Sequence, residues 1–291
     1  MFWGFNTNGL AHHAFADAVT LLAEIGYEGL ALTLDHDLLE RRDGDFFWRT
    51  DPEQIRDWTE SHGLKTAVET GARFLLDPWR KHRPNLLDPN PNARELRRKY
   101  YFRAVELAAV LQSSCVSIWS GAAVPISENA DMESAEPAEP ASALFQRLGE
   151  ELQILTDFAG ERGVSIAFEP EPGMFIDTMA QFERLLDCAP KELRLTLDVG
   201  HLFCQEESIP FYVQKHANRL VNIHFEDSVR GIHEHLFPGE GQIDFQEFFT
   251  ALCSINYSGG VFVELSRQST AGAETAKRAF DFLETFKSRL S

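Results

Sequence analysis

Short β-rich runs alternate with longer amphipathic runs along all 291 residues, and this alternation limits the folds open to the chain. The strand-like runs are Phe2–Thr7, Gly29–Asp35, Lys65–Thr70, Cys115–Ser120, Val164–Glu169, Leu193–Asp198, Leu220–Glu226 and Gly260–Leu265. Helical periodicity lies between them, as in Ala14–Ile25, Glu95–Leu111, Ala143–Glu161, Met179–Cys188, Phe245–Ile255 and Ala273–Leu290. Strand starts recur every ~35–40 residues, the scale of one strand-helix unit with its loops. Regular alternation implies a parallel sheet. Eight units predict an α/β fold, a single (β/α)₈ TIM barrel over residues 1–291. The rival is a doubly wound open sheet, which would show a Gly-rich phosphate turn after its first strand. Asn6-Thr7-Asn8-Gly9-Leu10 is not such a turn.

The later strands carry finer information. In Val164-Ser165-Ile166-Ala167-Phe168-Glu169 and Leu193-Arg194-Leu195-Thr196-Leu197-Asp198, large apolar residues alternate with small or polar ones. Val221-Asn222-Ile223-His224 and Val261-Phe262-Val263-Glu264 repeat the pattern. Alternate strand residues face opposite sides of a sheet. Val, Ile and Leu then face the helix layer. The other set, ending in Glu169, Asp198, His224 and Glu264, points into the barrel at the carboxyl ends of the strands, where barrel active sites lie.

Charges turned inward are costly unless paired or bound to a metal. Three carboxylates converging there raise one another's pKa values, and a divalent cation removes the conflict. Oxygen ligands with one imidazole suit Mn²⁺, Mg²⁺, Co²⁺ or Zn²⁺. A single strand-end acid is more simply read as facing water. Four such residues on consecutive strands favour one divalent metal ion held by Glu169, Asp198, His224 and Glu264. Just outside the strands stand His201 and His235, which beside a metal become substrate or metal contacts, and Arg230 follows the His224 segment. His12, His13, His36, His62, His82 and His216 lack that context and read as structural or exposed.

The formal net charge is -18. Such a field repels phosphate backbones, so no nucleic acid partner is expected. No apolar run approaches the ~20 residues that span a bilayer, so no membrane partner is expected. The N-terminus lacks the pattern of a signal peptide. Cys115, Cys188, Cys204 and Cys253 are scattered without a CxxC, which suits a reducing, cytoplasmic setting. Two long loops, 71–92 and 122–142, belong to the active-site face of the expected barrel. The first is basic, with Arg73, Arg80, Lys81, His82 and Arg83, and reads as surface loop or anion contact. The second is rich in Ala, Glu and Pro and reads as a solvated insertion.

Phe168-Glu169-Pro170, Leu197-Asp198-Val199-Gly200-His201, Asn222-Ile223-His224-Phe225-Glu226-Asp227, Pro238-Gly239-Glu240-Gly241 and Val263-Glu264 occur in order across the last four units. In this the chain resembles the sugar phosphate isomerase/epimerase family, the xylose isomerase-like barrels that are related to endonuclease IV. The resemblance implies that Glu169, Asp198, His224 and Glu264 coordinate a catalytic metal and that His201 and Arg230 touch substrate oxygens. It also implies that Glu169 and Glu264 act as acid and base, and that such barrels associate as homo-oligomers. Ketose epimerases of the group carry a further Glu shortly after the ligand of the fifth strand, and Gly173 and Phe175 stand in that stretch, so substrate contacts are expected to differ. His233-Glu234-His235 is similar to the acid-x-His pair of the endonuclease IV branch. That branch uses histidines at the third and fourth strand ends, where this chain has Glu69 and Trp119, both read as substrate contacts.

The expected function is a metal-dependent isomerase or epimerase on a small polyhydroxy substrate (a sugar, cyclitol or sugar derivative) through an enediolate. The alternative is a metal-dependent lyase of the inosose or dehydroshikimate dehydratase type. A non-catalytic metabolite-binding barrel and an AP endonuclease-like nuclease rank below both.

Overall fold

The computed structural model describes residues 1–123, 139–205 and 207–287. Its strands are β1 (Phe2–Asn6), β2 (Gly29–Thr33), β3 (Leu39–Arg42), β4 (Asp45–Trp48), β5 (Lys65–Glu69), β6 (Val116–Ile118), β7 (Ile166–Phe168), β8 (Arg194–Asp198), β9 (Leu220–Phe225), β10 (Asp227–Val229), β11 (Ile232–Leu236) and β12 (Gly260–Val263). Its helices are α1 (Phe15–Ile25), α2 (Pro52–Ser61), α3 (Pro91–Leu111), α4 (Ala141–Gly160), α5 (Met179–Leu185), α6 (Val199–Cys204), α7 (Ile209–Lys215), α8 (Phe245–Ser254) and α9 (Gly272–Lys287). Eight strands close into a parallel barrel in the order β1-β12-β9-β8-β7-β6-β5-β2. They are the eight runs expected from the sequence, each trimmed at one or both ends.

The helices begin where local chemistry satisfies their first N–H groups. Asp51, Asn90, Thr178, Ser208 and Asp244 each accept a backbone N–H from the first turn they cap, a contribution of about 1 kcal/mol apiece. Asn90 and Pro91 start α3 four residues before the run expected at Glu95. Leu195, Leu197, Ile223, Val261 and Val263 join the core between barrel and helices. Phe2, Ala31, Ala67, Cys115, Ala167 and Phe262 form a separate buried cluster. Neighbouring residues along a strand therefore belong to different cores, as their alternation requires.

A polar set joins the same strands further along. Ser117 Oγ lies 2.9 Å from Thr196 Oγ1, and Asn222 Nδ2 donates to Thr196 Oγ1 at 3.3 Å and to Glu69 Oε1 at 3.0 Å. The ionisable residues come next, at the carboxyl ends.

Two antiparallel hairpins, β3–β4 and β10–β11, stand outside the eight expected units. The second turns at Arg230-Gly231, with Gly231 at φ +74°. Asp227 organises the segment that runs on from this hairpin. Its carboxylate accepts the N–H groups of Gly239 (2.8 Å), Gly241 (2.9 Å) and Ile243 (3.1 Å). A Cβ on Gly241 would lie 2.3 Å from Asp227 Oδ1, so the Gly-Glu-Gly turn needs its second glycine for close approach. Of the two long loops, residues 124–138 of the second lie outside the described residues.

Candidate metal centre

β8 and β9 pair so that Asp198 stands beside His224, and β9 and β12 pair so that His224 stands beside Phe262, two residues before Glu264. Glu169 follows directly on β7 and its N–H bonds to Ile118 O of the neighbouring strand at 2.8 Å. The side chains converge on one imidazole. His224 Nδ1 lies 2.9 Å from Glu264 Oε2, 3.2 Å from Glu169 Oε1 and 3.9 Å from Asp198 Oδ2. Its Nε2 is 2.9 Å from Glu69 Oε1. Glu69, Glu169, Asp198 and His224 are all buried. Asn8 Nδ2 holds Glu264 Oε1 at 2.8 Å.

Asp198 divides its carboxylate. Oδ1 caps α6 by accepting His201 N–H at 2.8 Å, while the buried Oδ2 has no hydrogen-bond partner. That cap brings His201 in beside Glu169, with Nδ1 3.3 Å from Glu169 Oε1, and neither His201 ring nitrogen makes a hydrogen bond. The rings of His233 and His235, from β11, lie 4.9 and 5.8 Å from that of His201. His235 Nδ1 contacts Glu226 Oε2.

Electrostatics sort these groups. Burial disfavours a charged His224, but Glu69, Glu169 and Glu264 outweigh it and raise its pKa well above the ordinary value. His201 is likewise lifted to about 10 against burial, by Asp198 and Glu169. Burial pushes Glu264 up, yet the His224 charge wins and holds it at about 2. Glu169 is lowered for the same reason. Burial and the surrounding carboxylates raise Asp198 to about 6 and Glu171 to about 8, although His201 works against both. His233 and His235 are depressed to about 3 and about 4 by burial and by neighbouring imidazoles. Without other cations, the carboxylates are balanced by protons on His201 and His224.

Orphaned Asp198 Oδ2 and a His201 ring that has ion-pair contacts but no hydrogen bond, set among surplus carboxylates, fit a divalent cation. A cation there balances the acids while both imidazoles stay neutral. Donor atoms within 4.8 Å of one another are offered by Asp198, His224 and Glu264, by Glu169, Asp198 and His201, by Glu69, Glu169 and His224, and by His201, His233 and His235.

A cavity of about 150 Å³ opens over these residues. Of the contacts expected from the sequence, Glu69, Trp119, His201 and His235 line it. Arg230 does not: the hairpin turn carries it outward, where it is exposed and packs 4.5 Å over the Phe203 ring beside a separate surface cleft. Three further wall residues escape the sequence reading. Glu171 lies two residues past Glu169, and its signal is period-2 spacing carried into the Glu-Pro-Glu-Pro stretch, ahead of Gly173 and Phe175. Asn8 sits in the turn after β1. His82 reads from sequence as a structural histidine, and its Nδ1–H does donate to Gly71 O at 2.6 Å. Arg73 and Lys81 of loop 71–92 also reach this wall.

The sequence matches the family described as Xylose isomerase-like TIM barrel over residues 19–286. An inosose dehydratase from Geobacillus thermodenitrificans is 30% identical over 131 residues, covering 39% of this chain and 44% of that enzyme. The chain thus spans less than half the length of that curated relative. Among solved structures, D-allulose 3-epimerase from Methylomonas sp. in complex with D-allulose superposes with a TM-score of 0.75 at 18% identity, covering 98% and 96% of the two chains. The IOLI protein with a binding zinc atom superposes at 0.72 and 17%, covering 97% and 95%.

Proposed function

The chain belongs to the xylose isomerase-like TIM barrel family, and from that premise we propose that it is a metal-dependent isomerase or epimerase acting on a small sugar, cyclitol or sugar derivative. The observation that carries this reading is the approach of Glu169 and Glu264 to one nitrogen, His224 Nδ1, at the edge of an open cavity. Glu169, Asp198, His224 and Glu264 would hold one divalent ion, Mn²⁺, Mg²⁺, Co²⁺ or Zn²⁺. When bound, such an ion supplies Lewis-acid polarisation of a substrate carbonyl.

The chain's own residues supply the proton chemistry. Glu169 and Glu264 are both held ionised, so each suits removal of a proton from the carbon beside that carbonyl. The glutamate that has taken the proton returns it to the adjacent carbon while the hydroxyl proton passes from one oxygen of the enediolate to the other, which isomerises the substrate. Delivery to the opposite face of the original carbon by the other glutamate, once it has taken up a proton from a substrate hydroxyl or from solvent, gives the epimer. Asn8 fixes Glu264 by its hydrogen bond, and Asn222 fixes Glu69. Trp119 and His82 wall the cavity edge to face, with ring centroids 4.9 Å apart.

A second reading, a lyase, is favoured by Glu171. It stands on the cavity wall beside Glu169 and Glu264, where burial and those carboxylates shift it toward the protonated form that could donate to a departing hydroxyl, and the inosose dehydratase similarity points the same way. Proton NMR in D₂O on a panel of ketoses and inososes separates the two. Deuterium entering at carbon with the formula conserved supports isomerisation or epimerisation, whereas loss of water supports the lyase. Glu169→Gln and Glu264→Gln should each lose at least about 100-fold in turnover. Near-normal activity in both, with metal content unchanged, would falsify their role.

A further inference from the structure

The cavity over the carboxylates does not end there. A second cavity of about 230 Å³ adjoins it, and the two share Asn8, Thr33 and Arg73. We propose that this annex is a second subsite that seats a glycosyl unit, so that the substrate is a glycoside or other two-ring polyhydroxylated molecule. This rests on the sugar reading of the first site and extends it.

Three features favour a sugar ring there. First, the annex is amphipathic, as a sugar is. Leu10, Leu38 and Phe15 give it an apolar side, and Thr7, His13 and Asp35 a polar one. Second, its polar atoms have capacity left over. Thr7 Oγ1 accepts Thr33 N–H at 2.9 Å, and its own hydroxyl proton is uncommitted. Asp35 Oδ1 accepts His36 N–H at 2.8 Å, and Oδ2 stands 3.7 Å from Arg73 Nη1, beyond hydrogen-bonding distance. Asn8 Oδ1 and His13 Nδ1 are buried atoms with no hydrogen-bond partner. Unmade bonds of this kind are costly, and a ligand hydroxyl can satisfy them. Third, the junction is held by unusual backbone. Ala72 and Arg73 both take positive φ, +56° and +35°, a conformation disfavoured for non-glycine residues. It sets the Arg73 side chain where both cavities meet.

A monosaccharide would fill only the cavity over the carboxylates. Together the two cavities enter the size range usual for ligand sites, on the order of 300–1,000 Å³. The mixture of a carboxylate, an imidazole and a guanidinium suits hydroxyl groups, which both donate and accept, better than it suits an anion facing Asp35.

Calorimetry on the Mn²⁺-loaded protein tests the proposal. The probes are the glucose-containing disaccharides of each linkage, each against glucose itself. The expected result is at least one disaccharide binding about tenfold tighter than glucose, with Asp35→Asn and His13→Ala each reducing that ratio to within about twofold of unity. If glucose binds and no disaccharide gains over it, the annex is not a glycosyl subsite. If a disaccharide gains and neither substitution moves the ratio, the second ring sits elsewhere and the proposal is likewise overturned. Failure of every sugar to bind would count against the first site's sugar reading, and this proposal would fall with it.

Discussion

His82 shows how a single side chain couples the pocket wall to pH. Burial, opposed in part by the Gly71 carbonyl and aided by Lys81, Arg97 and Arg73, depresses its pKa to about 4. The unfolded chain then binds more protons than the native one between the ordinary value near 6.5 and about 4. Stability from the neutral form is therefore complete above about pH 6.5 and is lost as pH falls through 4. Allowing for solvent screening at its partly exposed edge, the loss should be about 1–2 kcal/mol. Urea unfolding of the wild type and His82→Gln at pH 7 and pH 4.5 measures it. The variant should show the shallower pH dependence, and equal slopes would remove His82 from the account. At this scale the convergence of the four candidate ligands was legible. Glu169, Asp198, His224 and Glu264 stood at strand ends in one phase of the alternation, and that phase is a property of the chain alone. Arg230 was not legible, because its direction depends on a hairpin turn. Nor was Asn8, whose importance lies in a partner 256 positions away.

Elements were legible in proportion to how strongly their pattern is imposed by burial. The barrel strands alternate because one side faces the helix layer and the other the barrel interior, and all eight were found. The β3 strand reads Leu39-Glu40-Arg41-Arg42, with only its first residue buried, so no apolar alternation marks it. The β10–β11 hairpin turns at Gly231 and the segment beyond it is held by the Asp227 hydrogen bonds, both invisible to periodicity. Helix packing adds a constraint of its own. Gly149 lies inside α4, where glycine is about 1 kcal/mol worse than alanine in helix propensity. Yet a Cβ there would sit 2.7 Å from Cys188 O, a backbone atom that cannot rotate away. Overpacking of this kind costs about 1–3 kcal/mol. Gly149→Ala should therefore destabilise by about 1 kcal/mol net despite the better propensity. A urea midpoint equal to or above wild type would show that α4 and the segment at Cys188 can separate without cost.

At the scale of the molecule, the acidic charge and the converging carboxylates act in one direction. A net charge of -18 raises the effective concentration of cations around the protein, and the barrel mouth offers them Asp198 Oδ2, a buried carboxylate oxygen without a hydrogen-bond partner. A divalent ion that binds the folded chain and not the unfolded one stabilises the fold by mass action, by about 2.7 kcal/mol at one hundred times its Kd. For a domain of this size that is a rise of roughly 4–5 °C in melting temperature. Dialysis against EDTA followed by titration with Mn²⁺, Mg²⁺, Co²⁺ or Zn²⁺ should lower and then restore the transition, with at least one ion producing the full rise. Asp198→Asn keeps a side-chain oxygen able to cap α6 but removes the ligand charge, so it should lose most of the metal-dependent rise while its metal-free melting stays near that of the wild type. A melting temperature indifferent to all four ions would mean that protonated His201 and His224 alone neutralise the site. The acid cluster would then be a hydrogen-bonded network rather than a metal centre.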